Sequence, residues 1–233
     1  MSTNIHIVCS SERAAGKTLL ARICGDILSF SEHGVTVFDT AFPSGPLARW
    51  FPKNGEVIDF RKMREQVRLF DTMVQQPGRR NYVVELQQEY LQRFFTILHD
   101  TSFDEGARDV GIGTGVFFVH GPSEDTREQI SWIRSKLKTA SLTIVAEGGR
   151  ASASRVSARS PRAIINGNCR ETTLPQLSAA TEEWVEKPGF QFGWNYSGSV
   201  VRPPSEVKLE LSFFMEKLRD WSRSPEWNET LAL

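Results

Sequence analysis

The stretch IHIVCSSERAAGKTLL, residues 5–20, decides how the rest of the chain is read. Ile5 to Cys9 is a short, branched apolar run, the pattern of a strand buried on both faces. Ser10 to Ala15 is a polar turn. Leu19, Leu20, Ile23 and Ile27 then recur at helical spacing. A strand, a turn and a helix in that order place backbone N–H groups at a helix N-terminus, where they face an anion. Gly16, Lys17 and Thr18 close the turn. A lysine there reaches the β/γ oxygens of a nucleotide and a hydroxyl there holds Mg²⁺. The strict pattern G-x-x-x-x-G-K-[ST] asks for glycine at position 11, where this chain has Ser11. Glycine lets such a loop take positive φ at little cost, so the loop here must be strained or differently shaped. The competing reading is a helix start with an exposed lysine. The preceding strand and the amphipathic helix after it favour the phosphate loop.

Working outward, Val35 to Phe38 is a second strand ending at Asp39. Thr40 to Val57 holds three prolines and two glycines and reads as a long loop, of the kind that is often functional. Asp59 to Met73 has helical spacing. Tyr82 to Leu86 is a third strand, and Tyr90, Leu91, Phe94, Phe95 and Leu98 form an apolar helix face. Gly115 to His120 is a fourth strand, followed by a helix over Ser123 to Leu137 with Ser123 as its cap. Leu142 to Ala146 and Ala163 to Ile165 are a fifth and a sixth strand, and Ser205 to Trp221 is a closing helix on which Phe213, Phe214, Leu218 and Trp221 should dock on the sheet. Strands alternating with helices predict an α/β, Rossmann-like fold: a mainly parallel sheet with helices on both faces, ligands binding at the carboxyl ends of the strands. With the phosphate loop this is the P-loop NTPase class, read as one domain over 1–233. Residues 147–162 read as a mobile loop and 224–233 as a loose C-terminal tail.

The bulk properties agree with a soluble globular chain. There are 233 residues, 39% hydrophobic and 24% charged, which argues against global disorder. Lys plus Arg and Asp plus Glu both number 28, so a dedicated nucleic-acid binder with a basic surplus is not expected. Cys9, Cys24 and Cys169 form no Cys-x-x-Cys pair and suggest no disulfide framework, and Cys9 reads as a small buried hydrophobe. Neither a signal peptide nor a membrane span is expected, which leaves the cytoplasm as the default compartment.

Three segments carry a resemblance to a known family. SSERAAGKT, GVTVFDTAFPSGPLARWF and NYVVELQQ occupy the places of the phosphate loop, the second strand with its switch segment and the Walker B strand of the ParA/MinD-type deviant-Walker ATPases, and ETTLPQLSAA (171–180) is a weaker echo of their late Pro-containing segment. The resemblance implies a nucleotide-binding loop over Ser11, Glu12, Arg13, Ala14, Ala15, Gly16, Lys17, Thr18 and Leu19. It implies Lys17 on the phosphates, Thr18 on Mg²⁺, Asp39 near the metal or the attacking water, and Glu85 ordering Mg²⁺ through water. It further implies dimerisation on ATP and a switch that positions DNA, protein or membrane cargo. The chain departs from the family pattern where its signature lysine falls on Glu12, its two glycines on Arg13 and Ala14, the second switch aspartate on Ala41 and the Walker B aspartate on Glu85. A glutamate at position 12 would repel a γ-phosphate, which counts against dimerisation across ATP, and Arg13, one residue later, is read as a substitute cation. Hydrolysis is therefore expected to be slow or absent.

Other residues have simpler readings beside the functional ones. Asp39 is also a turn-starting residue, and Glu85 also a helix-start acid. Arg150, Arg155, Arg159 and Arg162 lie in a Ser/Ala/Arg-rich stretch read as a solvated linker in preference to a lid or a DNA-contacting patch. His6, His33, His99 and His120 have no metal-ligand spacing. The phosphate loop and the resemblance together imply an ATP- and Mg²⁺-binding switch, Lys17 and Asp39 catalytic, acting as a homodimer on a protein cargo, with ADP as product. A non-hydrolysing protein-binding adaptor is the alternative, and a small-molecule kinase a further one. ATP is preferred to GTP because LTIVAEGG (142–149) leads into no N-K-x-D-like base-reading segment.

Overall fold

The computed structural model describes residues 3–12, 16–75, 80–120, 126–147, 169–192 and 203–223. Seven strands form one sheet: β1 (Thr3–Cys9), β2 (Val35–Asp39), β3 (Gly55–Val57), β4 (Asn81–Glu85), β5 (Ile112–His120), β6 (Ser141–Glu147) and β7 (Cys169–Leu174), in the order β3-β2-β4-β1-β5-β6-β7. Every pairing is parallel. The helices are α1 (Lys17–Ser29), α2 (Met63–Val74), α3 (Leu91–Asp100), α4 (Phe103–Asp109), α5 (Thr126–Lys136), α6 (Ala179–Val185) and α7 (Ser205–Arg223). The Rossmann-like α/β architecture expected from the strand–helix alternation is what the chain forms.

The strands are buried on both sides, so alternate residues serve opposite faces. Val8, Val37, Val83, Phe117 and Val145 belong to the core under α1, α6 and α7. Ile7, Cys9, Phe38, Val84, Phe118 and Ile144 belong to the core under α2, α3, α4 and α5. His6 is fully buried, stacks on Phe117 at 5.9 Å between ring centroids, and neither ring nitrogen has a hydrogen-bond partner among the described residues. Burial holds its pKa down at about 3, so the imidazole is neutral.

Several boundaries differ from the sequence reading. The expected 40–57 loop contains a 3₁₀ turn over Ala48–Trp50 and edge strand β3. α2 starts at Met63, because Asp59 is occupied upstream in a pair with Arg61 at 2.7 Å. α4 and α6 were not expected, and the described strand at the far edge is Cys169–Leu174. Ala163 to Ile165, Ser123, residues 148–162 and the 224–233 tail lie outside the described residues. On α7, Phe214 and Leu218 are buried as expected, whereas Phe213 points outward; the side chain of Trp221 is not described.

α1 is the helix the site depends on, and it is anchored by a buried ion pair. Arg22 donates to the carbonyls of Val185 and Phe190 and lies over the Trp50 ring at 3.5 Å. Asp26 is one turn on, 3.8 Å from the guanidinium, and accepts from the Phe192 amide at 2.8 Å. Burial raises the Asp26 pKa to about 7 against the pull of that amide and of Arg22. On the same helix a Cβ at Gly25 would sit 2.5 Å from a Phe51 ring atom. Gly25→Ala is therefore expected to destabilise the fold by about 1–3 kcal/mol of overpacking, despite the roughly 1 kcal/mol gained in helix propensity. Thermal unfolding checks it, and an unchanged or raised midpoint would show that Phe51 swings aside freely.

Candidate functional site

The register brings the expected site residues to one level of the sheet. Val8 pairs with Glu85 and Asp39 pairs with Glu85, so the carboxyl ends of β1, β2 and β4 converge. β1 then turns into α1 at Gly16, the helix N-cap, which has φ +76°. That left-handed geometry suits glycine and supplies the sharp entry the motif requires. Arg13, Ala14 and Ala15 lie outside the described residues. Ser11 and Glu12 are half-buried, and the Glu12 amide donates to Ser10 Oγ at 2.9 Å. Leu19 packs against the core on the α1 side.

Lys17 is not an exposed lysine at a helix start. It is 7% exposed, and Nζ donates to the Glu12 carbonyl at 2.9 Å. No carboxylate among the described residues lies within salt-bridge distance of it. Burial lowers its pKa, while the nearby carboxylates of Glu85 and Glu89 oppose that shift. A buried ammonium without an ion-pair partner favours binding an anion. Cys9 is buried as expected, and burial pushes its thiol pKa up, so it is no nucleophile.

Thr18 and Glu85 meet across 67 positions of sequence: Thr18 Oγ1 donates to Glu85 Oε1 at 2.6 Å. The other oxygen, Oε2, is buried and has no partner among the described residues. Burial pushes the Glu85 pKa up to about 7; Asp39 raises it further, while Thr18 and Lys17 lower it. A hydroxyl, an orphaned carboxylate oxygen and a second acid close by fit a divalent cation that takes its other ligands from water and phosphate. No cluster of three or more His, Cys, Asp or Glu side chains that could hold a metal ion occurs among the described residues.

Asp39 is fully buried and hydrogen-bonded throughout. Oδ1 accepts from the Ala41 amide at 2.8 Å, and Oδ2 from the amides of Leu47 at 2.7 Å and Ala48 at 3.3 Å. These contacts match its turn-starting reading and fix the first half of the 40–57 segment. Gly45 tightens the same segment, with φ +51° and a Cβ position 2.3 Å from a Val57 methyl. Thr40 joins this segment to β4: its amide and hydroxyl both donate to the Glu85 carbonyl, and its hydroxyl accepts from Gln87. Sequence reasoning missed Thr40, Glu89 and the Arg22–Asp26 pair. Thr40 had a detectable signal, as a hydroxyl residue directly after a strand-end aspartate.

The four arginines of 150–162 lie outside the described residues. No described helix is long and apolar enough to cross a membrane.

No protein-family model and no curated protein matches the chain. Among solved structures it is similar to a ParA family ATPase from Chlorobium tepidum TLS, 14% identical, with 98% of this chain and 97% of that one covered and a TM-score of 0.48. It is also similar to a nucleotide-binding protein in complex with ADP from Archaeoglobus fulgidus, 13% identical over 96% of this chain and 90% of that one, with a TM-score of 0.44.

Proposed function

We propose that the chain binds ATP with Mg²⁺ at the β1–α1 loop and acts as a slowly hydrolysing switch. The observation that carries this reading is the buried Lys17 ammonium, which has no ion-pair partner among the described residues and lies beside the Thr18–Glu85 pair. Lys17 leaves the Glu12 carbonyl for the phosphate oxygens. Thr18 and, through water, Glu85 would hold Mg²⁺, which when bound would offset charge on the phosphates. Deprotonated Glu85 suits that task, and the cation favours deprotonation. Asp39 positions the 41–48 backbone near the γ-phosphate, and the attacking water is ordered within that frame rather than by the engaged carboxylate itself. The loop's altered state is the output, read by a protein cargo with a second copy of the chain as the nucleotide-bound dimer.

The second reading, a non-hydrolysing adaptor, has one observation in its favour. Glu12 Oε1 is buried without a partner among the described residues, and a carboxylate there opposes a γ-phosphate. Calorimetric titration of Mg²⁺-ATP, followed by phosphate release on the same samples, decides between them. We expect binding by the wild type and a loss of roughly ten- to a hundredfold in Lys17→Ala, the 1.5–3 kcal/mol of a charged hydrogen bond. Heat without release would leave a nucleotide sensor. No heat in the wild type would overturn the ATP reading in favour of the adaptor.

A further inference from the structure

A second cavity-forming feature adjoins the phosphate loop, and its chemistry is opposite to that of the loop. A cleft of about 660 Å³ opens beside Ser11, with Glu89 and Gln92 on one wall and Glu128, Gln129 and Trp132 of α5 on the other. Leu91, buried at the start of α3, and Gln88 complete it. Trp132 is held edge-on by Phe95, with 6.5 Å between ring centroids. Gln129 Oε1 is buried and accepts no hydrogen bond among the described residues. The cleft lies at the carboxyl ends of β1, β4 and β5, which are adjacent in the sheet. There the connection from β1 leads to one side and the connection from β4 to the other, the crevice in which open α/β sheets take their ligands.

Its described lining holds two carboxylates and three carboxamides, and no lysine or arginine. Those described groups disfavour a polyphosphate in the cleft. It attracts a positive charge, offers an unused buried acceptor to an N–H donor, and presents an indole and a leucine to an apolar body. The volume falls in the range of small-molecule pockets and exceeds what one inserted side chain fills. We propose that the cleft binds a small organic cation, a primary ammonium or guanidinium on an apolar carbon frame, beside the phosphate loop. Glu89, whose charge also acts on Lys17, would be the acid shared between the two sites.

The test uses the whole chain and three probes: agmatine, phenethylamine, and the neutral 2-phenylethanol. Calorimetry or ligand-observed NMR should show millimolar or tighter binding of at least one amine and none of the alcohol. The double variant Glu89→Gln/Glu128→Gln, two exposed positions, should weaken that binding at least tenfold. Lys17→Ala, which removes a positive charge near Glu89, should weaken nucleotide binding without weakening amine binding, which separates the two sites. The proposal is overturned if neither amine binds, if the alcohol binds equally well, or if the double variant binds the amine like the wild type. Capture of an arginine-rich peptide without either amine would also overturn it, assigning the cleft to a partner's side chain instead.

Discussion

Replacing Arg22 by alanine is expected to destabilise the fold by about 3–5 kcal/mol, the range for breaking a buried ion pair from one side. The substitution leaves the carbonyls of Val185 and Phe190 without their guanidinium donor and the Asp26 carboxylate without its ion-pair partner. It also removes the group stacked on Trp50, which sits between the 190–192 segment and the segment that leads to β3. For a chain of this size 1 kcal/mol corresponds to about 2–4 °C, so the midpoint should fall by roughly 6–20 °C. Arg22→Lys keeps the charge but not the planar fork that serves two carbonyls at once, and should recover only part of the loss. Adding Asp26→Asn to Arg22→Ala should recover another part, because the uncompensated buried carboxylate is then gone. Urea or thermal unfolding of the four proteins checks the series. A loss under 1 kcal/mol in Arg22→Ala would mean that water replaces the guanidinium freely.

Glu85→Gln is expected to act in two directions. The Glu85 carboxyl sits at about 7 in the folded chain, above its ordinary value of 4.5. Between those values the folded chain keeps a proton that the unfolded chain has released. Its contribution is full below pH 4.5 and is lost as the pH climbs through 7, at about 1.4 kcal/mol per unit and on the order of 3 kcal/mol in all. Glu85→Gln removes that slope, so the variant should gain on the wild type as the pH is raised from 5 to 8. The same variant should bind Mg²⁺-ATP roughly ten- to a hundredfold more weakly, the usual effect of losing a cation-orienting group. Only the difference between wild type and variant isolates this effect. Asp26 has the same sign as Glu85, while His6, whose pKa is lowered, destabilises the fold as the pH falls below 6.5. Denaturation at pH 5 and pH 8, with Mg²⁺-dependent titration beside it, checks both parts. Equal slopes in the two proteins would show that Glu85 is ionised throughout.

Much of this fold was legible because its signals are local. The apolar runs at 5–9, 35–38, 82–86, 115–120 and 142–146 could only be buried strands, and Gly16-Lys17-Thr18 sits where strand gives way to helix. β3 was hidden because three residues inside a Pro/Gly-rich stretch carry no periodicity; tertiary pairing to β2 makes them a strand. α4, FDEGARD, has no amphipathic repeat and is held from outside, by Asp104 accepting from the amides of Lys138, Thr139 and Ala140. Lys17 and Thr18 could be named from the motif, and Glu85 from its place at a strand end. What the motif could not reveal was that Thr18 donates to Glu85, or that Asp39 spends both oxygens on its own loop. Arg22 and Asp26 look like an ordinary i,i+4 surface pair in sequence. Only partners far along the chain bury them.

The anchoring of α1 also bears on the order in which the chain can reach its native state during synthesis. Arg22 leaves the ribosome well before its partners, because the carbonyls it needs lie 163 and 168 positions later. At translation rates of about 5–20 residues per second, that interval is on the order of ten to thirty seconds. Throughout it, the helix that begins at the phosphate loop carries a guanidinium meant for a dry interior and has nothing to receive it. The N-terminal half therefore stays open on that face until α6 and the segment after it have emerged. Nascent chains halted before residue 185 should be cut by protease within α1, and chains released past residue 192 should resist.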